Sequence, residues 1–193
     1  VSEQKTAGYD PSYEGQQGTI EVGKLAEAIV TNTYSSTGAL ELSGTKKLVG
    51  RDWVEGDSFE FTLTGKNVTS GAADDQESFT LPTPAEATLR YEDAVKVSGG
   101  GNPTENVEVP FSFGDISFSQ KGTYEFTITE TKPGESNVSN TSGLSVTYTY
   151  EVTDDGKGNL IAKPVETSQA GTSGFVNTYE PDAATAGLTA TKT

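Results

Sequence analysis

Three polar residues fall on apolar strand faces, and their chemical types complement one another. Along Leu40, Leu42, Gly44, Lys46 and Leu48, every second position is apolar or glycine except Lys46, which therefore points inward. Its neighbour Lys47 points out, with Glu41, Ser43 and Thr45. Along Tyr124, Phe126, Ile128 and Glu130 the inward face ends in a carboxylate, while Glu125, Thr127 and Thr129 face water. Along Phe175, Asn177 and Tyr179 an amide sits between two aromatic residues. An unpaired charge on such a face is costly, so these residues are expected to find one another.

An amine, a carboxyl group and a carboxamide brought together allow two outcomes. One is a buried Lys46–Glu130 ion pair, with Asn177 satisfying the leftover donors and acceptors. The other is a reaction. Burial lowers the pKa of a lysine and raises that of a carboxylic acid, which favours a neutral amine beside a protonated acid. Lys46 Nζ would attack the side-chain carbonyl carbon of Asn177, and Glu130, hydrogen-bonded to that carbonyl, would polarise it and shuttle a proton to the departing ammonia. The product is an intramolecular isopeptide bond, formed once, with no cofactor and no metal. Proximity supplies most of the acceleration, since a folded core holds amine and amide in contact indefinitely.

Composition narrows the alternatives. The 193 residues include no His, Cys or Met, which removes an imidazole base, a Ser-His-Asp or Cys-His nucleophile, a thiolate or imidazole metal site and a redox dithiol. With 28 acidic against 13 basic side chains the formal charge is -15, and scattered cations do not make the basic patch that nucleic acid or an anionic membrane requires. No apolar run approaches the roughly 20 residues needed to span a bilayer. Hydrophobic residues are only 32%, but eight Phe and eight Tyr lie in periodic runs, so a folded chain with a thin core is expected.

The elements that must position the three residues are strands. Phe59, Phe61 and Leu63 alternate with Ser58, Glu60 and Thr62, and Val146, Tyr148, Tyr150 and Val152 alternate with Ser145, Thr147, Thr149 and Glu151. Breaks rich in Gly, Asn and Asp are read at residues 65–71, 98–103, 132–143 and 154–159, the last as a hairpin turn and not as a calcium loop, whose ligand spacing it lacks. Only residues 24–28 and 84–89 suggest a helical period. Short strands with turn chemistry between them predict an all-β antiparallel sandwich of immunoglobulin-like type. The sequons at Asn67, Asn137 and Asn140 are given no functional weight.

The chain also resembles itself. Val30-Thr31-Asn32-Thr33-Tyr34 returns as Phe175-Val176-Asn177-Thr178-Tyr179, and Val1-Ser2-Glu3-Gln4-Lys5 loosely as Ile128-Thr129-Glu130-Thr131-Lys132. Leu42-Ser43-Gly44-Thr45-Lys46 returns as Leu188-Thr189-Ala190-Thr191-Lys192. This order predicts the C-terminal part of one β module in residues 1–34, a complete sandwich in 35–180, and a linker with the first strand of a further module in 181–193. Glu3 and Asn32 then belong to one incomplete site and Lys192 to another. The expected partners are neighbouring modules of the same protein, or strand complementation between copies through residues 188–193 and the 1–34 segment, which has too few strands to fold alone.

The motifs Gly44-Thr45-Lys46-Lys47-Leu48-Val49-Gly50-Arg51-Asp52, Phe59-Glu60-Phe61-Thr62-Leu63, Gly122-Thr123-Tyr124-Glu125-Phe126-Thr127-Ile128-Thr129-Glu130 and Phe175-Val176-Asn177-Thr178-Tyr179, in that order, resemble the pilin isopeptide-linkage domain of Gram-positive major pilins and fibrous adhesins, of the streptococcal T-antigen type. Residues 1–34, with Gly8-Tyr9 and Gly18-Thr19-Ile20 before Asn32, look more like the end of a collagen-adhesin B-type domain. The resemblance implies a Lys46–Asn177 crosslink between adjacent first and last strands, catalysed by Glu130, in a stalk module of an extracellular, cell-wall-anchored appendage. Such a bond would close a loop of about 130 residues, worth roughly 4 to 5 kcal/mol by chain entropy, and would take the place of disulfides. The alternative is an adhesive module binding a host glycan or matrix protein, for which Trp53, Tyr9, Tyr13 and Tyr91 are the candidate aromatics. A turnover glycosidase would need a paired set of carboxylates that nothing singles out.

Overall fold

Period-two patterning becomes paired strands through most of the chain. The computed structural model describes residues 2–192 except 16, 20, 24, 26, 70–77, 136, 142, 166–171 and 188–190. Its elements in order are β1 (Tyr9–Glu14), β2 (Ile29–Tyr34), β3 (Gly38–Val49), β4 (Ser58–Asn67), β5 (Phe79–Thr80), β6 (Glu86–Arg90), α1 (Tyr91–Val97), β7 (Glu108–Phe118), β8 (Gly122–Lys132), β9 (Val138–Asn140), β10 (Ser145–Asp154), β11 (Leu160–Pro164) and β12 (Thr172–Tyr179).

Two five-stranded sheets carry the core: β11-β10-β8-β4-β6, and β5-β7-β3-β12-β9. Their inner faces are filled by rings, which explains how a chain with so few aliphatic residues builds a core. Phe61 stacks on Phe111 with centroids 4.0 Å apart, and Phe79 meets Tyr124 and Phe126 edge to face, at 5.6 Å each. A Cβ added at Gly44 would lie 2.4 Å from the Phe111 ring, so glycine at that inward position lets the ring lie against the β3 backbone.

One pairing departs from the antiparallel expectation. β12 runs parallel to β3, with Phe175 opposite Lys46 and Asn177 opposite Leu48. A parallel pair needs a long crossover, and here nearly the whole sandwich lies between its two strands in sequence. The other pairings within the two sheets are antiparallel.

Three local expectations are corrected. Residues 84–89 do not begin a helix: Glu86–Arg90 is strand β6, because Leu89 pairs with Phe59 and is buried in the core. The helix follows directly at Tyr91–Val97, its entry held by the Arg90 N–H donating to the Asp93 carboxylate at 3.0 Å. Gly65 does not break β4; it stays in the strand because the Phe126 ring occupies the space a Cβ would take, 2.7 Å away. Residues 132–143 hold not only turns but also β9, which pairs with β12. Of the other suggested helical stretch, Leu25, Glu27 and Ala28 lie in no helix, while 24 and 26 are outside the described residues.

β1 and β2 form a separate antiparallel hairpin. It is joined to the sandwich at the β10–β11 turn: the Tyr34 hydroxyl donates to Asp154 at 2.6 Å and accepts from the Gly158 N–H at 3.1 Å. Residues 181–187 have no regular structure, nor have Thr191 and Lys192, and 188–190 of the expected following strand lie outside the described residues.

Candidate crosslinking site

The site is assembled from both sheets. Lys46 comes from β3 and Asn177 from β12, adjacent strands of one sheet, while Glu130 reaches from β8 in the other. Lys46 and Asn177 are 0% exposed and Glu130 is 2% exposed, so all three are removed from water. The approach of Glu130 coincides with a register shift in the β4–β8 ladder, where Glu60 faces Lys132 but Phe61 already faces Glu130. Bulges of this kind re-aim the side chains beside them.

One carboxylate oxygen is the apex of the cluster. Lys46 Nζ donates to Glu130 Oε1 at 2.7 Å, and Asn177 Nδ2 donates to the same oxygen at 3.1 Å. The amide's orientation is set by a second acceptor, the Pro133 carbonyl, which takes the other Nδ2 proton at 2.6 Å. A carbonyl cannot donate, so this contact directs the NH₂ end of Asn177 toward both acceptors. Asn177 Oδ1 is buried and accepts no hydrogen bond. Glu130 therefore faces the nitrogen that would leave, not the carbonyl oxygen it was expected to polarise. An acceptor-only carboxylate draws the donor end of the amide toward itself.

Lys46 also lies over the Phe59 ring, with Nζ 4.4 Å from the centroid, and Phe59 is backed edge-on by Trp53 at 5.2 Å. An aromatic ring attracts a cation but hydrates nothing. Desolvation is the largest influence on this amine and outweighs the attraction of Glu130, bringing its pKa down from 10.5 to about 8. The side chain is thus an ammonium held close to losing its proton, beside the base that would take it.

A fourth polar residue completes the cluster. Asn140 of β9 sits directly opposite Asn177 in the β9–β12 ladder, and its Nδ2 donates a short hydrogen bond to Glu130 Oε2. Its own Oδ1 accepts the Gly143 N–H at 2.8 Å. Asn140 thus binds the far oxygen of Glu130 and leaves the near one facing the amine and the amide. Sequence reasoning noticed Asn140 only as a sequon, and it passed over Phe59 and the Pro133 carbonyl as site components. Parity of the Ser58–Leu63 strand carried the signal for Phe59; no residue-type signal marks a backbone carbonyl.

The other expected site residues are placed as follows. Asn32 Nδ2 donates to both carboxylate oxygens of Glu3, at 3.1 Å each, on the exposed hairpin. Lys192 is exposed in a segment without regular structure. Of the candidate ligand-binding aromatics, Trp53 is buried in the core, Tyr91 is half-buried, and Tyr13 accepts the Glu3 N–H at 3.0 Å. Tyr9 is 39% exposed and tilts against Tyr34 at 4.9 Å.

In fold comparison the chain is similar to the structure of the major pilin protein (T-13) from Streptococcus pyogenes serotype GAS131465, with 21% identity and a TM-score of 0.45 over 74% of this chain. The alignment spans 54% of that pilin's length. A comparison with curated protein sequences returned no match. At the family level residues 42–180, nearly the whole sandwich with all four residues of the cluster, match the FctA family, described as the Spy0128-like isopeptide containing domain, and the chain belongs to that family.

Proposed function

We propose that residues 35–180 are a structural stalk module of a Gram-positive surface pilus or fibrous adhesin, stapled by an isopeptide bond that it forms itself between Lys46 and Asn177. The observation that carries this reading is the shared oxygen: amine and amide both donate to Glu130 Oε1 in a site closed to water.

The steps use only these groups. The Lys46 ammonium passes one proton to Glu130 Oε1 and exposes the Nζ lone pair. Nζ attacks Asn177 Cγ, and the electrons of the carbonyl shift to Oδ1. Glu130 delivers its proton to Nδ2, with which it already shares a hydrogen bond, and takes a second proton from Nζ. The Cγ–Nδ2 bond breaks, the carbonyl reforms, and ammonia leaves, picking up that second proton as ammonium. Glu130 ends as it began, and the chain has lost one ammonia. Nothing regenerates the amine or the amide, so the event occurs once per molecule and the domain is not a turnover enzyme. The family match supports the crosslink, and the setting read with it is an extracellular appendage anchored to the cell wall.

Intact-mass spectrometry tests the bond. Wild type is expected to weigh one ammonia less than its sequence, and Lys46→Ala its full calculated mass. A wild-type protein at full mass, folded and aged, overturns the crosslink and leaves a buried ion pair.

A further inference from the structure

The β10–β11 turn is ordered by its own side chains. Asp155 Oδ1 accepts the N–H groups of Lys157 and Asn159 at 2.7 and 3.0 Å, and Oδ2 accepts Asn159 Nδ2 at 2.7 Å. The Asp155 N–H in turn donates to the Asn159 carbonyl at 3.1 Å. Asp154 and Gly158, both half-buried, therefore stand at fixed places on this turn.

The β1–β2 hairpin engages these two residues in two ways. The Tyr34 hydroxyl donates to Asp154 Oδ1 at 2.6 Å and accepts the Gly158 N–H at 3.1 Å, using both halves of a group that is donor and acceptor at once. The second contact is backbone on backbone. A Cβ added to Gly8 would lie 2.6 Å from the Tyr34 ring and 2.8 Å from Gly158 N, and one added to Gly158 would lie 2.9 Å from Gly8 Cα. The two glycines also have φ of +80° and +94°, so a side chain at either would strain the backbone and force the two parts away from each other.

The connector between hairpin and sandwich is held from both sides. On the hairpin side the Ser35 N–H donates to the Gly8 carbonyl at 2.9 Å. On the sandwich side the Thr37 N–H donates to the Gly158 carbonyl at 3.1 Å, and the Thr37 carbonyl accepts the Leu160 N–H at 2.8 Å. The Ser36 side chain hydrogen-bonds Asp154. All three connector residues are thus tied, where a swinging junction between two folded parts needs untied ones.

We infer that this joint is a latch: the β10–β11 turn is a docking knob for a β hairpin that presents a glycine backbone beside a tyrosine hydroxyl, and it fixes the direction of the hairpin relative to the sandwich. The Tyr34 hydroxyl is its bolt, and removing that one oxygen frees the joint without unfolding either part. The joint lies directly before Gly38, where β3 begins, so a load on the hairpin passes through it before reaching the sandwich. The inference does not rest on a bond between Lys46 and Asn177, neither of which belongs to the joint.

Pulsed electron–electron resonance on the whole protein tests it. The chain has no cysteine, so Ser12→Cys and Glu86→Cys, at exposed positions of β1 and β6, take two nitroxide labels at known sites. The labelled protein is expected to give one narrow distance distribution. Tyr34→Phe and Gly8→Ala should each at least double its width, and Asp154→Ala added to Tyr34→Phe should broaden it no further. A second pair within the sandwich, Glu86→Cys with Lys163→Cys, should stay narrow in every variant. A broad Ser12–Glu86 distribution without the joint substitutions overturns the latch. A distribution that stays narrow in Tyr34→Phe overturns the hydroxyl as bolt, and one that stays narrow in Gly8→Ala overturns the glycine contact. Broadening of the sandwich pair in these variants overturns a latch that opens separately from the fold.

Discussion

Asn177→Ala separates a covalent staple from an ion pair, because it removes the acceptor and leaves the Lys46–Glu130 contact of 2.7 Å in place. If the bond forms, this substitution unties a loop of about 130 residues, and chain entropy puts that loss at about 5 kcal/mol. In the bonded wild type Nδ2 has already left as ammonia, so the lost staple is the main effect, and at about 2 to 4 °C per kcal/mol for a chain of this size the melting temperature should drop by about 10 to 20 °C. If only an ion pair exists, the two hydrogen bonds that Nδ2 donates to Glu130 and the Pro133 carbonyl are the whole effect, about 1 to 3 kcal/mol. The drop is then about 2 to 12 °C. Differential scanning calorimetry on wild type and variant, with intact masses on the same samples, gives both numbers. A wild type carrying its full sequence mass, together with a drop in the lower range, would refute the reasoning.

Glu130→Ala should retain the ammonia, losing the staple's contribution of about 5 kcal/mol, and should also leave Lys46 buried without its counter-ion, a further cost of about 3 to 5 kcal/mol, seen as a lowered denaturation midpoint and a full mass. Asn140→Ala should fold and eventually reach the crosslinked mass, but the rate of ammonia loss after refolding should fall about tenfold, the worth of one hydrogen bond to a charged group. A lowered melting temperature with an unchanged rate would assign Asn140 to packing and not to holding Glu130. The Asn177→Ala variant should become more stable as pH rises from about 8 toward 10.5. In that window the unfolded chain still binds the lysine proton and the folded one does not, so the penalty for burying the ammonium is relieved. Urea denaturation midpoints at stepped pH measure the slope, and a flat or falling profile would place the Lys46 amine outside the desolvated site.

The inward placement of the three polar groups was legible because a strand alternates its faces: once Leu42 and Leu48 are assigned to the core, Lys46 must share their side, and the same holds for Glu130 beside Ile128. Parity says which face a residue occupies, not which residues meet across the sandwich. That depended on the parallel β3–β12 pairing, which no short-range pattern encodes. Asn140 was hidden for a different reason. Its segment, rich in Ser, Asn and Gly, has turn chemistry, and the three residues of β9 are a strand because β12 supplies their ladder. The orientation of the Asn177 amide was likewise out of reach, since it is fixed by a backbone carbonyl of the irregular stretch after β8. Gly65 and the 84–89 segment were misread because tertiary contacts with Phe126 and Phe59 override local propensity.

The parallel pairing gives the proposed bond its mechanical meaning. Tension applied along the chain enters the sandwich at the Gly38 end of β3 and leaves at the Tyr179 end of β12. Because the two strands run the same way, these points lie at opposite ends of the sheet, and without a staple the load shears the β3–β12 ladder. Failure then releases about 130 residues, about 450 Å of chain at full extension. With Lys46 joined to Asn177, the load runs along β3, crosses the bond, and exits through the last residues of β12. The residues between 46 and 177 carry none of it. The stretch of β3 that does is already extended at about 3.4 Å per residue and has little slack to give. The proposed bond would also lie near the C-terminal end of both strands, where Phe59 and the end of β8 close over the amine. A disulfide at the same place would need an oxidant and could be reduced; an amide formed from Lys and Asn needs only burial and one acid, which is the chemistry open to a chain without cysteine or histidine.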